Sequence, residues 1–171
     1  MGQSLKKVEK IMKRILFNSD QVGGLAVILA IPVAAFNRIK QNYSTGVRTV
    51  SLSSSQDVIE IPVVNDHGYS FEEVQSTEDG GDVYDVSIQG VIPRSDADPK
   101  LRMVLERGEW LVLHKDRNGT CRLSGSKDVP LHFYSNRTSG KTTANMNGNN
   151  FTFSAQEPFP SEEVEENFII E

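Results

Sequence analysis

The chain has few of the residues that usually carry chemistry. It has one cysteine, Cys121, one tryptophan and three histidines among 171 residues. A single cysteine excludes an intrachain disulfide, and a lone thiol within a strand pattern is more often a core residue than a nucleophile. This cysteine usage is typical of a protein made in a reducing cytoplasm.

Basic charge and hydrophobic residues are also scarce. The 18 Lys and Arg against 23 Asp and Glu leave a net charge of -5, which argues against a generic nucleic-acid binder. Hydrophobic residues make up 37%, a low share that favours long polar loops or arms buried by partners. The apolar run Gly23–Phe36 contains Pro32 and is shorter than the roughly 20 residues of a membrane helix. We therefore expect a buried strand there and no membrane partner.

What the sequence does have is a series of short apolar runs separated by turn residues. Tyr84, Val86 and Ile88 alternate with polar residues, which predicts a strand with one buried face. The predicted strands are 25–31, 47–52, 58–64, 69–75, 83–91, 108–115, 120–125, 129–134 and 150–153. A short helix is predicted between Asp98, as N-cap, and Gly108, as C-terminal stop. The pattern predicts a mainly β fold, an antiparallel β-sandwich or small barrel with one flanking short helix and an N-terminal amphipathic helix.

The two ends of the chain differ in charge from the middle. We predict a helical arm at residues 1–20, a β-rich core domain at 21–157 and an acidic tail at 158–171. Residues 5–17 carry apolar side chains at helical spacing. The helix either covers its own domain or docks onto a neighbouring subunit; binding to a membrane surface is a third interpretation.

The opposite charges of the two ends predict a pair of docking arms between subunits. The basic side chains are Lys6, Lys10, Lys13 and Arg14, and the tail offers Glu162, Glu163, Glu165, Glu166, Phe168, Ile169 and Ile170. Exposed ion pairs are weak singly, so their number and the burial of the apolar tip would have to act together. On this hypothesis, deletion of residues 161–171 weakens assembly without unfolding the domain.

No arrangement typical of an enzyme stands out. No nucleophile, base and orienting group fall together, so we expect no catalytic activity and no cofactor. His114 and His132 lie on separate predicted strands, and Cys121 is the only thiol that could complete a zinc site. Ordinary histidines on strand faces are the favoured interpretation, so we expect no metal site. The 69–91 hairpin contains five acidic residues, Glu72, Glu73, Glu78, Asp79 and Asp82. Their spacing does not match that of a calcium-binding loop.

Several segments together resemble a family of virion structural proteins from tailed phages of Bacteroides-type hosts, including the crAss-like phages. The segments are GGLAVILAIPV from Gly23 with Phe36, VIEIP from Val58, YDVSIQGVI from Tyr84, RGEWLVL from Arg107, RLSGSKDVPL from Arg122 and NGNNFTF from Asn147. The likeness spans most of residues 20–155.

The resemblance implies a structural subunit of a phage tail or head-to-tail connector, which self-assembles into a ring or tube through which DNA passes. Its partners would be copies of itself and other tail, neck or portal proteins, in a virion assembled in the host cytoplasm. The acidic hairpin is then the candidate lumen or interface loop, since an acidic channel does not hold phosphate. The alternatives are a carbohydrate- or receptor-binding β-sandwich module and a capsid decoration protein. The first would expose aromatic side chains on one face, whereas Trp110 lies inside an apolar run and is expected in the core.

Overall fold

The computed structural model describes residues 23–63, 68–93, 99–138 and 148–171. Twelve strands and one α-helix lie within these ranges. The strands are β1 (Leu25–Pro32), β2 (Phe36–Gln41), β3 (Arg48–Leu52), β4 (Ile59–Ile61), β5 (Ser70–Glu78), β6 (Gly81–Pro93), β7 (Glu109–Asp116), β8 (Cys121–Ser124), β9 (Leu131–Thr138), β10 (Gly148–Glu157), β11 (Glu162–Glu163) and β12 (Phe168–Ile170). The helix, α1, spans Pro99–Arg107.

A nine-stranded sheet is organised around β7. It follows the order β11, β8, β7, β9, β10, β6, β5, and β1 pairs with both β7 and β4. Strand β1 runs antiparallel along β7, from Leu25 opposite Asp116 to Pro32 opposite Trp110. The other edge of β7 is divided, because its first residues pair with β9 and residues 112–115 pair with β8. A second sheet has the order β12, β3, β2, with β12 parallel to β3.

Strand β7 is buried on both faces, which explains its nearly continuous apolar sequence. Trp110 and Val112 belong to one core cluster, together with the phenylalanines of β9 and β10. Leu111 and Leu113 belong to a second cluster, shared with β3 and with Val164. Three layers of β-structure therefore enclose two cores, with β1 and β7 in the middle layer.

The fold is mainly β, antiparallel apart from the β12–β3 pair, and sandwich-like, as predicted from the sequence. No closed barrel forms among the described strands. The helix between Pro99 and Arg107 and the burial of Trp110 and Cys121 confirm further predictions. The N-terminal amphipathic helix lies outside the described residues.

Some boundaries differ from the prediction because pairing extends strands past their apolar residues. Strands β5 and β6 stay paired as far as Glu78 and Gly81, where the sequence predicts a longer loop. Strand β10 continues to Glu157, since its polar residues pair with β6 along its whole length. Strand β2, which no alternation of apolar residues indicates, pairs antiparallel with β3.

Candidate functional site

The acidic hairpin forms one edge of the large sheet. Strand β5 is the terminal strand of the sheet and is paired with β6. Glu72, Glu78, Asp79 and Asp82 are exposed, whereas Glu73 is half-buried and faces the inner side of the hairpin. The Asp82 carboxylate accepts hydrogen bonds from Gln75 and Thr77 across the turn. Four of the five acids of the candidate lumen or interface loop therefore lie on the surface, and their place in a lumen or interface stays a prediction.

The exposed acids of the hairpin have no cationic partner within the described ranges. The ion pairs there involve Glu106, Asp116 and the C-terminal glutamates, and none involves a hairpin acid. Glu72 and Asp85 belong to the same outer face of β5 and β6, on opposite strands. The hairpin therefore presents an acidic surface to solvent.

The acidic tail lies against the body of its own chain. We call residues 158–171 the C-terminal strap. Its first strand, β11, pairs Glu162 with Leu123 and Glu163 with Arg122 of β8. Glu162 lies 3.5 Å from the guanidinium of Arg48, and Glu163 lies 3.8 Å from that of Arg122. Glutamates of the strap are therefore already paired within the chain.

Strap residues further along the chain continue this pattern. A 2.8 Å ion pair joins Glu166 to Lys115. Phe168, Ile169 and Ile170 form β12 beside β3, with Phe168 packed against the second core. Glu165 is exposed and takes no part in an ion pair of the described residues. Docking of the strap onto another subunit stays a prediction, and its proposed basic partners, Lys6 to Arg14, lie outside the described residues.

A partly buried chain of hydrogen bonds joins the strap to β5 at one edge of the large sheet and to β7 and β8 near the other. Ser161 donates from its amide (2.8 Å) and its hydroxyl (2.7 Å) to one carboxylate oxygen of Glu73 on β5. The hydroxyls of Ser161 and Ser124 are 2.7 Å apart, and Ser124 lies 2.9 Å from Nε2 of His114. We call these four residues the polar seam, because they link β5 to β7 and β8 through the strap.

The direction of the hydrogen bonds in the polar seam follows from its carboxylate end. A carboxylate oxygen of Glu73 accepts from the hydroxyl of Ser161, so that hydroxyl proton points toward Glu73. Ser124 must then donate to Ser161, and the Nε2–H of His114 donates to Ser124. Ser124 is consequently a donor to Ser161 in this chain of hydrogen bonds, and His114 donates to Ser124 and does not accept its proton.

The environment of His114 agrees with a neutral imidazole. Burial lowers the pKa of His114 to about 3, and the Arg122 cation adds to this effect while Asp116 opposes it. The ring of Phe71 covers the imidazole at a centroid distance of 4.3 Å. The side chain is 1% exposed, so water cannot supply the hydrogen bond that Ser124 provides.

Glu157 is the one charged residue among the described ones whose burial has no evident compensation. It is 5% exposed, and its Oε1 has no hydrogen-bond partner. Burial raises the pKa of Glu157 to about 7, and the nearby Glu73 carboxylate raises it further. Glu157 therefore keeps its proton up to about neutral pH. It lies at the end of β10, immediately before the strap.

The outer face of strands β9, β10, β6 and β5 is polar and uncovered by the rest of the described chain. One row across these strands contains His132, Ser154, Ser87 and Glu72 in register. The adjacent row carries Tyr134, which is 60% exposed. This face has one large exposed aromatic side chain, where a typical sugar-binding face presents several.

The cysteine and the possible metal ligands noted in the sequence form no further site among the described residues. Burial raises the pKa of Cys121 to about 11, which fits a core thiol. Among the described residues, no three His, Cys, Asp or Glu side chains come together as a metal site, and His67 lies outside them. No helix in the described ranges is both long and apolar enough to cross a membrane.

Comparison with protein-family models, curated proteins and solved structures finds no match to this chain.

Sequence reasoning missed the polar seam and Glu157. A signal for Glu157 exists, because Phe151, Phe153, Ala155 and Glu157 share one phase of a two-residue alternation, which places a carboxyl on the buried face. No comparable signal brings Ser124, Ser161 and Glu73 together, since they lie on three segments far apart in the chain.

Proposed function

We propose that this chain is a structural subunit of a bacteriophage tail or head-to-tail connector, which assembles with copies of itself into a ring or tube that passes DNA. The proposal rests on the sequence resemblance and on one structural observation, the acidic β5–β6 hairpin at a sheet edge. Its partners would be other copies and neighbouring tail, neck or portal proteins of the virion. The described polar seam has the hydrogen bonding of a structural tie, which suits a non-catalytic role.

The hairpin supports this role in two ways. Strand β5 has nine residues, and its outer backbone groups can pair with a neighbouring subunit. Glu72, Asp79 and Asp82 are exposed without cations nearby, so a ring of hairpins would form an acidic band. Such a band repels the phosphates of passing DNA, so the polymer moves without being held.

The first test is the solution mass of the purified chain by light scattering, with negative-stain images of the same fraction. We expect rings or short tubes. A monomer at all concentrations, with no capture by other virion proteins from phage lysate, would overturn the proposal. A reconstruction that places the hairpin on the outer rim would contradict its position in the lumen.

The second candidate is a carbohydrate- or receptor-binding β-sandwich module. The observation that favours it is the uncovered polar face around Tyr134. Tyr134→Ala would then abolish retention on host-surface glycans and leave the oligomeric mass unchanged, whereas the favoured proposal expects no such retention. A capsid decoration protein would bind the capsid shell in the same pull-down.

A further inference from the structure

A groove with an apolar floor lies beside α1, at the end of β1 where Pro32 pairs with Trp110. Its volume is about 720 Å³. The helix contributes Leu101 and Val104, which are 40% and 52% exposed and lie one turn apart on the same side of α1. The opposite wall comes from β4 and from the segments that flank the second sheet, and its apolar members are Ala34, Val58 and Ile59.

The exposed apolar side chains in this groove are unusual for a helix of nine residues. A helix on a sheet normally buries its apolar stripe, and Leu105 does so at 2% exposure. Leu101 and Val104 point instead into the groove, next to Trp110. Adjacent exposed apolar side chains in a concave site indicate a surface that another segment covers.

The rim of the groove is acidic. Asp57 and Glu60 line it, both are exposed, and neither forms an ion pair with the described residues. A segment that fits this groove needs an apolar stripe for the floor and basic side chains for the rim.

One segment of the chain has this composition. Residues 5–17 lie outside the described residues, and their sequence predicts an amphipathic basic helix about 20 Å long. The apolar positions are Leu5, Val8, Met12, Ile15 and Leu16, and the basic ones are Lys6, Lys7, Lys10, Lys13 and Arg14. We propose that the groove beside α1 binds residues 5–17 of a neighbouring copy, as an amphipathic helix with its apolar stripe on Leu101 and Val104.

The position of the chain's own N-terminal end favours a neighbouring copy as the source. Residue 23 lies near the start of β1, and the groove centre lies near Pro32, about 25 Å away by the rise of a β-strand. The six steps from residue 17 to residue 23 span at most about 22 Å when fully extended. The middle of the chain's own helix lies about 9 Å beyond residue 17, so it would reach the groove centre only with this linker almost fully extended, while a neighbour's helix has no such limit.

This inference rests on the proposed self-assembly and names the surface that joins the subunits. Disulfide trapping between two tagged forms of the full chain tests it, one with Val104→Cys and one with Met12→Cys. The matched control replaces Val104→Cys by Tyr43→Cys, at a position 92% exposed and at the far end of the β2–β3 hairpin. We expect an interchain product at least about tenfold more abundant with Val104→Cys than with the control.

Charge reversal tests the rim with the same trapping assay. Asp57→Lys with Glu60→Lys should lower the interchain product about tenfold, because like charges then face each other. Adding Lys10→Glu and Lys13→Glu to the Met12→Cys partner should restore it. Glu165→Lys, a single charge reversal at an exposed residue outside the groove, should leave the product unchanged.

The outcomes separate this inference from the proposed function. Assembly by light scattering with equal trapping at positions 104 and 43 overturns the inference and leaves the assembly proposal standing. A disulfide that forms only when both cysteines are in the same chain also overturns it, since the segment then comes from its own chain. A monomer without interchain product overturns both.

Discussion

Two acidic regions of this chain look alike in sequence and have opposite places in the structure. The C-terminal strap has Glu162, Glu163 and Glu166 against Arg48, Arg122 and Lys115 of the same chain. The β5–β6 hairpin has acids of the same kind with no cation near them in the described structure. Acidic composition alone therefore does not identify a binding surface.

The way the strap is attached explains why acidic composition is a poor guide to a binding surface. Its ion pairs are exposed and worth about 0–1 kcal/mol each, so they align the strap more than they hold it. Its attachment comes from Val164, which is 9% exposed in the second core, and from pairing with β8 and β3. The strap is part of the fold, whereas the acids of the hairpin are available to a partner.

The largest expected effect on stability comes from the contact between Val164 of the strap and the second core. We expect Val164→Asp to lower the free energy of unfolding by about 3–5 kcal/mol, because it removes an apolar contact and buries a charge. Urea unfolding measures the change, and the neighbouring exposed Glu165→Ala is the control, expected within about 0.5 kcal/mol of the parent. Equal effects would mean that the strap is not part of the core.

The same contact changes the expectation for a deletion. Removal of residues 161–171 should now destabilise the domain as well as alter assembly, since Val164 and Phe168 leave the second core. Retention of the parent unfolding curve after the deletion would restore the sequence-based hypothesis of a separable arm.

The next effect concerns Glu157, which lies before the strap and close to Glu73 of the hairpin. The folded pKa of Glu157 is raised from 4.5 to about 7, so its contribution is full below pH 4.5 and is lost as pH rises to about 7. By the same linkage, Glu157→Gln should be more stable than the parent at pH 8, by up to about 3 kcal/mol. Urea unfolding from pH 4 to 8.5 measures the difference, which should be smallest at pH 4.

His114 produces the opposite pH dependence and must be separated from Glu157. Its folded pKa is lowered from 6.5 to about 3, so its contribution is full above pH 6.5 and is lost as pH falls. The two slopes oppose each other between pH 4.5 and 6.5, and Glu157→Gln should expose the slope of His114. Glu78→Gln, an exposed change on the hairpin, is the matched control, and parallel curves for the two glutamine variants would contradict the assignment.

A smaller effect is expected on the inner face of the hairpin. A Cβ at Gly90 would lie 2.5 Å from the ring of Tyr69 and 2.7 Å from that of Phe151. We expect Gly90→Ala to cost about 1–3 kcal/mol by overpacking. Gly80→Ala, at the hairpin turn where nothing lies within 4 Å, is the control. Thermal unfolding measures both, and equal midpoints would show that the packing relaxes without cost.

The smallest expected effects on the free energy of unfolding come from replacing single acids of the strap and of the hairpin. Glu162→Gln should cost about 0–1 kcal/mol, since it removes an exposed pair with Arg48. Glu72→Gln, which has no such partner, should leave the free energy of unfolding within about 0.5 kcal/mol of the parent. A double-mutant cycle with Arg48→Ala measures the coupling energy between Glu162 and Arg48. A coupling energy of zero would mean that the acids of the strap contribute no more to stability than the unpaired acids of the hairpin.

Much of the fold follows from local sequence pattern. The turn at residues 116–119 is predicted from Asp and Asn-Gly, and Asp116 Oδ1 indeed accepts hydrogen bonds from the amides of Asn118 and Thr120. The alternation in β6 and the end of α1 before Gly108 are equally local, because burial of one face imposes the first and the glycine stop the second.

The sequence by itself determined the β class, the short helix, the buried places of Trp110 and Cys121, and the exposure of most hairpin acids. Only the tertiary structure decided that the strap enters both sheets, that Ser161 joins Glu73 to Ser124, and that Glu157 is buried without a hydrogen bond to Oε1. The physical reason is sequence separation. Strand periodicity reports which face of a segment is apolar, while the partners across a core depend on how distant segments pack.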